Sequence, residues 1–343
     1  MKKLFLALAA VAVMGLTACD PDDGNAAARS GVYNPEVKIA SMEYGDNDRD
    51  QWNWADNKLV SIDHYSSDHI DGSTTFEYNS DNQLTKVTDD DGFTLEYGYT
   101  NGLLSSVTVS EMNATFNVNY SNNQISNFQM PISQEMLNSM VQELIGGLLN
   151  GDMEDYRTLS AKAGNENMIQ FNLVWNNGNV SRMAGNTSIT VDLPVSDMLS
   201  IATNLFGEEF SAYTDVISGA MQMMGITSVP LAFNMGDTID LTYDQNHNPL
   251  QGFMGEFSPE MIPVILSGNN VTSSTQYGFM SYHLQLPAML LAMLPAEFAS
   301  RTSGTIPTGE GETVTFSYQY NSKGYPTVAT SSYGEVTSFT YVE

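Results

Sequence analysis

Cysteine, histidine and basic side chains are scarce in this sequence. The chain of 343 residues contains one Cys and four His, and its 12 Lys and Arg stand against 40 Asp and Glu, which gives a formal net charge of −28. A single Cys excludes a disulfide framework and a Cys-based zinc site. The negative charge repels nucleic-acid phosphates, so nucleic acid is excluded as a partner.

Long apolar runs are also missing, apart from one short run near the start of the sequence. Lys2 and Lys3 precede an apolar segment that is too short to span a membrane and is typical of a secretory signal. The segment ends in Leu16-Thr17-Ala18-Cys19, which resembles the bacterial lipobox. We therefore predict that residues 1–18 are a signal peptide and that Cys19 is lipidated, which anchors the protein to a membrane.

Residues 19–40 are predicted to be a tether, because small and polar residues follow the acidic stretch Asp20-Pro21-Asp22-Asp23-Gly24. An acidic cluster directly behind a lipidated Cys is similar to the export signal of surface lipoproteins in the Bacteroidetes. This resemblance implies an outer-membrane location facing the cell exterior. In other bacteria an Asp at this position implies retention at the inner membrane, so the two locations stay open.

A short pattern recurs along the rest of the chain: an aromatic residue, a turn rich in Asn, Asp or Gly, and then Leu, Val or Ile. Its copies begin at Trp54, Tyr78, Tyr99, Tyr120, Trp175, Tyr243 and Tyr320. The residues before each turn alternate between apolar and polar, which predicts strands with one buried face. Seven such hairpins predict a mainly β protein, a large antiparallel meander that forms a curled sheet, a half-barrel or a barrel.

This pattern looks like the YD-type repeat. Together with the lipobox, it is similar to an uncharacterised family of Bacteroidetes lipoproteins with a porin-like β fold. The resemblance covers residues 41–130 well and the remainder loosely. It implies an extracytoplasmic barrel or half-barrel and brings no catalytic residue with it.

Apolar α-helices are predicted within the single domain 41–343, as insertions near 131–150, 194–225 and 286–300. Met and Leu recur in these segments at helical spacing. Either they line an apolar pocket for a lipid-like ligand, because Met adapts to irregular apolar surfaces, or they fill the sheet and complete its core. The candidate pocket residues are Met140, Leu144, Met221, Met224, Met289 and Met293.

Two further groups are candidate binding sites. Trp52, Trp54 and Tyr65 form a sugar-stacking surface in one interpretation and pack the core in the other. Asp46, Asp48 and Asp50 offer oxygen ligands to Ca²⁺, and the alternative is an ordinary acidic loop. No catalytic motif stands out, so no catalytic residue is assigned and no cofactor other than calcium is considered.

These features predict a cell-surface or outer-membrane lipoprotein that acts as a non-enzymatic binding or interaction module. Its partners would be the membrane, through the lipid anchor, and a glycan, a lipid or a surface protein. Two alternatives stay open: a carrier that holds an apolar ligand between the sheet and the Met-rich helices, and an extracellular hydrolase.

Overall fold

The computed structural model describes residues 26–111, 113–133, 136–138, 161–162, 168–294, 296–300 and 302–342. The strands are β1 (Ile39–Tyr44), β2 (Asp48–Ala55), β3 (Lys58–Ser66), β4 (His69–Tyr78), β5 (Leu84–Asp89), β6 (Thr94–Thr100), β7 (Leu103–Val109), β8 (Ala114–Ser121), β9 (Gln124–Pro131), β10 (Ala161–Lys162), β11 (Met168–Asn176), β12 (Asn179–Pro194), β13 (Ser228–His247), β14 (Asn269–Leu284), β15 (Ser303–Tyr320), β16 (Pro326–Ser331) and β17 (Val336–Tyr341). The α-helices are α1 (Ala26–Ser30), α2 (Val195–Phe206), α3 (Ser211–Met223), α4 (Met261–Leu266), α5 (Ala288–Met293) and α6 (Ala296–Ser300).

Sixteen of these strands form one closed antiparallel barrel. Neighbours along the chain pair with each other, β9 pairs with β11, and β17 returns to β1, where Tyr341 lies opposite Ile39. The two-residue strand β10 lies beside β12, beyond the end of β11. Closure removes the edges that an open sheet would expose. The predicted antiparallel meander is confirmed, and it takes the form of a barrel.

The tight turns of the repeat lie together at one end of the barrel, which we call the turn end. It comprises the turns after β2, β4, β6, β8, β11 and β15, together with the starts of β1 and β14 and the ends of β13 and β17. Asn and Gly in these turns have positive φ, for example 53° at Asn101 and 77° at Gly102. Other residues rarely adopt this backbone region, which explains the turn composition. The opposite end, where β1 joins β2 and β3 joins β4, is the loop end.

In five of the seven copies, the aromatic residue of the repeat fastens its hairpin to the preceding one. Its polar tip donates a hydrogen bond to the backbone carbonyl of an apolar residue that follows the previous turn, and we call this contact the aromatic latch. The donor and acceptor residues are Tyr78 and Leu59 (2.8 Å), Tyr99 and Leu84 (2.6 Å), Tyr120 and Leu104 (2.7 Å), Trp175 and Ile125 (2.7 Å), and Tyr243 and Val180 (2.7 Å). The repeat therefore needs a large apolar ring with a polar tip.

A segment between β13 and β14 fills the barrel, and we call residues 248–268 the plug. Five of the six residues of its helix α4 are buried. Phe253 packs on Trp52 with ring centroids 4.7 Å apart, and Phe257 packs on Phe116 and Phe128, each at 5.2 Å. These rings bring the plug into contact with separate parts of the wall, so wall and plug share one apolar core.

The folded body begins earlier than the predicted tether allows. Ala28 in α1 is fully buried, and Tyr33 is buried with its hydroxyl donating to the Pro249 carbonyl of the plug at 2.8 Å. The predicted tether of residues 19–40 is therefore wrong from Ala26 onward. Its small residues suggested a flexible linker, but Ala favours helix and is small enough to pack closely beneath the plug.

A second core lies at the loop end. Strands β12 to β15 are 16 to 20 residues long and extend beyond their shorter neighbours. Helices α2, α3, α5 and α6, which we call the helical cap, pack on this extension around Phe233 and Met221. The cap helices fall within the predicted insertions 194–225 and 286–300, whereas most of 131–150 lies outside the described residues. Among the helices of the described ranges, none is both long and apolar enough to cross a bilayer.

The two faces of the barrel wall differ in polarity. On β8 the inward residues Phe116 and Val118 are buried, while the outward Asn117 and Asn119 are exposed. Polar pairs join neighbouring strands on the outside: Thr108 with Thr115 at 2.9 Å, Asn119 with Asn127 at 2.8 Å, Lys86 with Glu96 at 3.6 Å, and Arg182 with Asp240 at 2.5 Å. A barrel that spans a bilayer shows the opposite arrangement, with an apolar outer band. This wall is suited to water on its outside.

Candidate functional site

Polar groups inside the barrel gather at a small cavity between the plug and strands β1 to β4. The cavity offers about 40 Å³ to the centre of a water-sized sphere, which is room for about three water molecules. Apolar side chains such as Met42, Trp52 and Phe253 form much of its lining. The polar residues that line it are Tyr44, Asp50, His64, Thr74 and Glu256.

A chain of hydrogen bonds connects strands β2, β3 and β4 at this cavity. Asp50 Oδ1 lies 2.7 Å from His64 Nδ1, and His64 Nε2 lies 2.9 Å from the Thr74 hydroxyl. Strand register produces this geometry, since Asp50 lies directly opposite His64 and Thr74 lies diagonally across from it. Tyr44 donates a hydrogen bond to the second Asp50 oxygen at 2.7 Å.

The Asp50 carboxylate controls the protonation of its neighbours. Burial disfavours the charged form of His64, but the hydrogen bond to Asp50 and its negative charge outweigh this and raise the pKa of His64. Burial, followed by the charge of Asp50, raises the pKa of Tyr44 well above its ordinary value. Tyr44 therefore remains a hydrogen-bond donor at physiological pH.

Glu256 brings a buried carboxyl group from the plug to the same cavity. Both of its carboxyl oxygens are shielded from solvent, and neither has a hydrogen-bond partner among the described residues. Burial raises the pKa of Glu256 to about 7, with a further contribution from the negative charges of Glu260 and Asp50. The carboxyl group is thus close to half protonated at neutral pH, unlike an ordinary Glu.

The order of hydroxyl, imidazole and carboxylate is one that activates nucleophiles in hydrolases. Here the hydroxyl belongs to Thr74, and the cavity beside it has the size of a few water molecules and is too small for a polymer substrate. We interpret the cluster as a titratable contact between the wall and the plug. Its protonation changes the free energy of keeping the plug in place.

The three predicted sugar-binding aromatic residues do not form one surface. Trp52 and Trp54 share the inner face of β2, with ring centroids 6.4 Å apart, but Trp52 is only 4% exposed. Tyr65 lies on the opposite face of the wall, where the Arg49 guanidinium is 4.5 Å from its ring centroid. The platform interpretation is therefore wrong, because alternation along the strands separates Tyr65 from the Trp pair and the plug covers Trp52.

The Met-rich set is also divided by the structure. Met221 is fully buried in the second core and Met224 is half-buried against it, whereas Met289 is 58% exposed to solvent. The described members of the set thus do not face one common cavity, and Met221 takes the core-filling role. Met140, Leu144 and the Met293 side chain lie outside the described residues.

The structure does not show the three predicted calcium ligands together, and it does not test whether Ca²⁺ binds to them. Asp50 is buried inside the barrel and bonded to Tyr44 and His64, and the Asp46 side chain lies outside the described set. Where side chains are described, no group of three or more His, Cys, Asp or Glu is placed to hold a metal ion. Binding of Ca²⁺ near Asp46, Asp48 and Asp50 stays a prediction. So does lipidation of Cys19, which precedes the described ranges.

No sequence pattern indicated the plug, and Glu256, which lies within the plug, was therefore not predicted as a site residue. The plug has no hairpin pattern and contains only one short helix, so it resembled a loop between two strands. One signal was present: apolar residues are dense from Leu250 to Leu266, and a solvent-exposed loop would not need them. The closeness of Glu256 to Asp50 depends on barrel closure, which local patterns do not reveal.

No family model matches the chain. No curated protein matches it either. Among solved structures it is similar to a porin-like protein from Bacteroides vulgatus, with 5% identity, coverage of 90% of this chain and 99% of that chain, and a TM-score of 0.31. The barrel assignment accordingly rests on the strand pairing of this chain, and the resemblance to YD-type lipoproteins stays a prediction.

Proposed function

We propose that this protein is a lipid-anchored outer-membrane barrel whose body stands in water and acts as a non-enzymatic binding or interaction module. The observation that carries the proposal is the polarity of the wall, with Asn117 and Asn119 outside and Phe116 and Val118 inside. Such a wall does not match the hydrocarbon of a bilayer. The acyl chains predicted on Cys19 supply the membrane attachment that the wall does not.

The packing of the plug against the described wall favours this function over a lipid carrier held beside the plug. The plug packs on the wall through Phe253 and Phe257, and its backbone accepts hydrogen bonds from Tyr33 and Tyr97. Two small cavities beside the plug have volumes of about 10 and 40 Å³. Each suits water and not an acyl chain, so neither of these two cavities supports the alternative of a carrier.

The helical cap offers a surface for a partner. Val216 and Met223 are 54% and 85% exposed and are seven residues apart, so they lie on one side of α3. Met289 on α5 adds a third exposed apolar side chain. Exposed Met side chains adapt to varied partner surfaces, which favours a surface protein over a glycan as the partner.

The anchor is tested by fractionating cells that express the full-length protein or its Cys19→Ala variant. We expect the natural protein to sediment with outer membranes and to need detergent for release. The variant should be recovered in soluble form without detergent. A variant that still needs detergent would contradict the proposal, because the barrel itself would then be the membrane-embedded part.

A further inference from the structure

The distance between the lipidated residue and the folded body is short. Seven residue steps separate Cys19 from Ala26, so a fully extended chain covers about 25 Å. From Ala26 onward the chain belongs to the folded body, and its first helix, α1, lies at the turn end. Arg29 donates to the Asn123 carbonyl at 2.6 Å, and Gln83 donates to the Ser30 carbonyl at 2.8 Å. Both contacts are to turns at that end of the barrel.

We propose that the turn end faces the membrane and that the loop end, with the helical cap, points away from it. The proposal rests on the proposed lipid anchor and adds the orientation of the body. The surface that the turn end faces in this orientation is the phospholipid headgroup layer of the membrane. A tether of this length, leaving from the turn end, keeps that end close to the lipid.

The charge distribution supports the same orientation. Half of the eight Lys and Arg in the described ranges lie at the turn end, and these are Arg29, Lys38, Lys58 and Lys323. The acidic residues there exceed these by one, and they are Glu36, Asp56, Glu77, Asp81 and Asp244. The loops and strand ends from β1 to β8 at the loop end carry one basic residue, Arg49, and eight acidic residues, namely Asp46, Asp48, Asp68, Asp71, Asp89, Asp90, Asp91 and Glu111.

Anionic lipid headgroups repel the loop end more strongly than the turn end. The tether adds Asp20, Asp22 and Asp23 next to the membrane, yet even with these the turn end is the less negative of the two. Electrostatic repulsion and tether length therefore favour one orientation over its reverse. Salt weakens the electrostatic repulsion but leaves the length of the tether unchanged.

Two single-thiol variants of the full lipidated protein measure this orientation. Ser80→Cys is at the turn end between β4 and β5, and Ser110→Cys is at the loop end directly after β7; both serines are exposed. Because β7 has seven residues and barrel strands tilt, the two sites differ in height by about 20 Å. Acylation occupies Cys19, so the introduced thiol takes the fluorophore.

Each labelled protein is bound to vesicles of phosphatidylethanolamine and phosphatidylglycerol that contain nitroxide-labelled headgroups. We expect at least threefold stronger quenching at position 80 than at position 110. Equal quenching, or stronger quenching at position 110, would overturn the orientation while leaving the anchor intact. Flotation of the vesicles tests the anchor separately: a lipidated protein that does not float with them would overturn both proposals.

Discussion

Replacement of Glu256 by Gln should remove much of the pH dependence of the protein's stability. The pKa of Glu256 is about 7 in the folded protein and 4.5 for the ordinary side chain. Between these values the folded state binds more protons than the unfolded state, so stability falls as the pH rises. The difference corresponds to about 3 kcal/mol of unfolding free energy lost by pH 8.5.

The assay is urea unfolding at pH 5 and pH 8.5, followed by tryptophan fluorescence, since Trp52 contacts the plug. We expect the natural protein to lose about 2.5 kcal/mol more than Glu256→Gln between the two pH values. At pH 5 the two should differ little, because Glu256 is then protonated and neutral. His64, whose raised pKa gives a loss of stability in the same direction, is present in both proteins and cancels from the comparison.

Glu111→Gln is the matched control, because Glu111 is exposed at the loop end. It should retain the pH dependence of the natural protein. An equal pH dependence in Glu256→Gln and in the natural protein would contradict the raised pKa of Glu256. Glu256 would then not be the buried titrating group at the wall and plug contact.

Two further substitutions test the latch and the plug by urea unfolding at constant pH. Tyr99→Phe removes one aromatic latch and should cost about 1 kcal/mol, because the Leu84 carbonyl loses its partner, whereas Tyr333→Phe at an exposed turn should change stability little. Equal effects of these two variants would argue against the latch. Phe253→Ala should cost about 3 to 5 kcal/mol, because it leaves a cavity beside Trp52 and Phe76, and the exposed Val174→Ala is its control. A cost below 1 kcal/mol for Phe253→Ala would mean that the plug is not packed as described.

The repeat made the wall of the barrel predictable. Alternation before each turn correctly placed Phe76 and Phe116 on the buried face, and the Asn and Gly of the turns have the positive φ that hairpins need. These features are local, so a sequence pattern contains them. The aromatic latch gives the reason for the repeat, since in five copies the aromatic residue bonds to the hairpin of the preceding copy.

The interior was not predictable in the same way. Asp50 and His64 meet through the register of neighbouring strands, but Glu256, about 200 residues further along the chain, joins them only because the sheet closes around the plug. Local alternation correctly placed Trp52 and Trp54 on one face, but it did not show that the plug covers Trp52. Burial by a distant segment of the chain depends on tertiary packing.

The most direct test of a water-exposed wall compares neighbouring residues on opposite faces of β8. Asn117→Cys points outward and Val118→Cys points into the core, in the middle of the same strand. Each variant of the full lipidated protein, in isolated membranes, is treated with a water-soluble maleimide. If the wall is exposed to water, the thiol at position 117 is labelled rapidly, and the thiol at position 118 is not labelled until the protein unfolds. Protection of position 117 until detergent removes the lipid would contradict this exposure, because the outer wall would then lie within the bilayer.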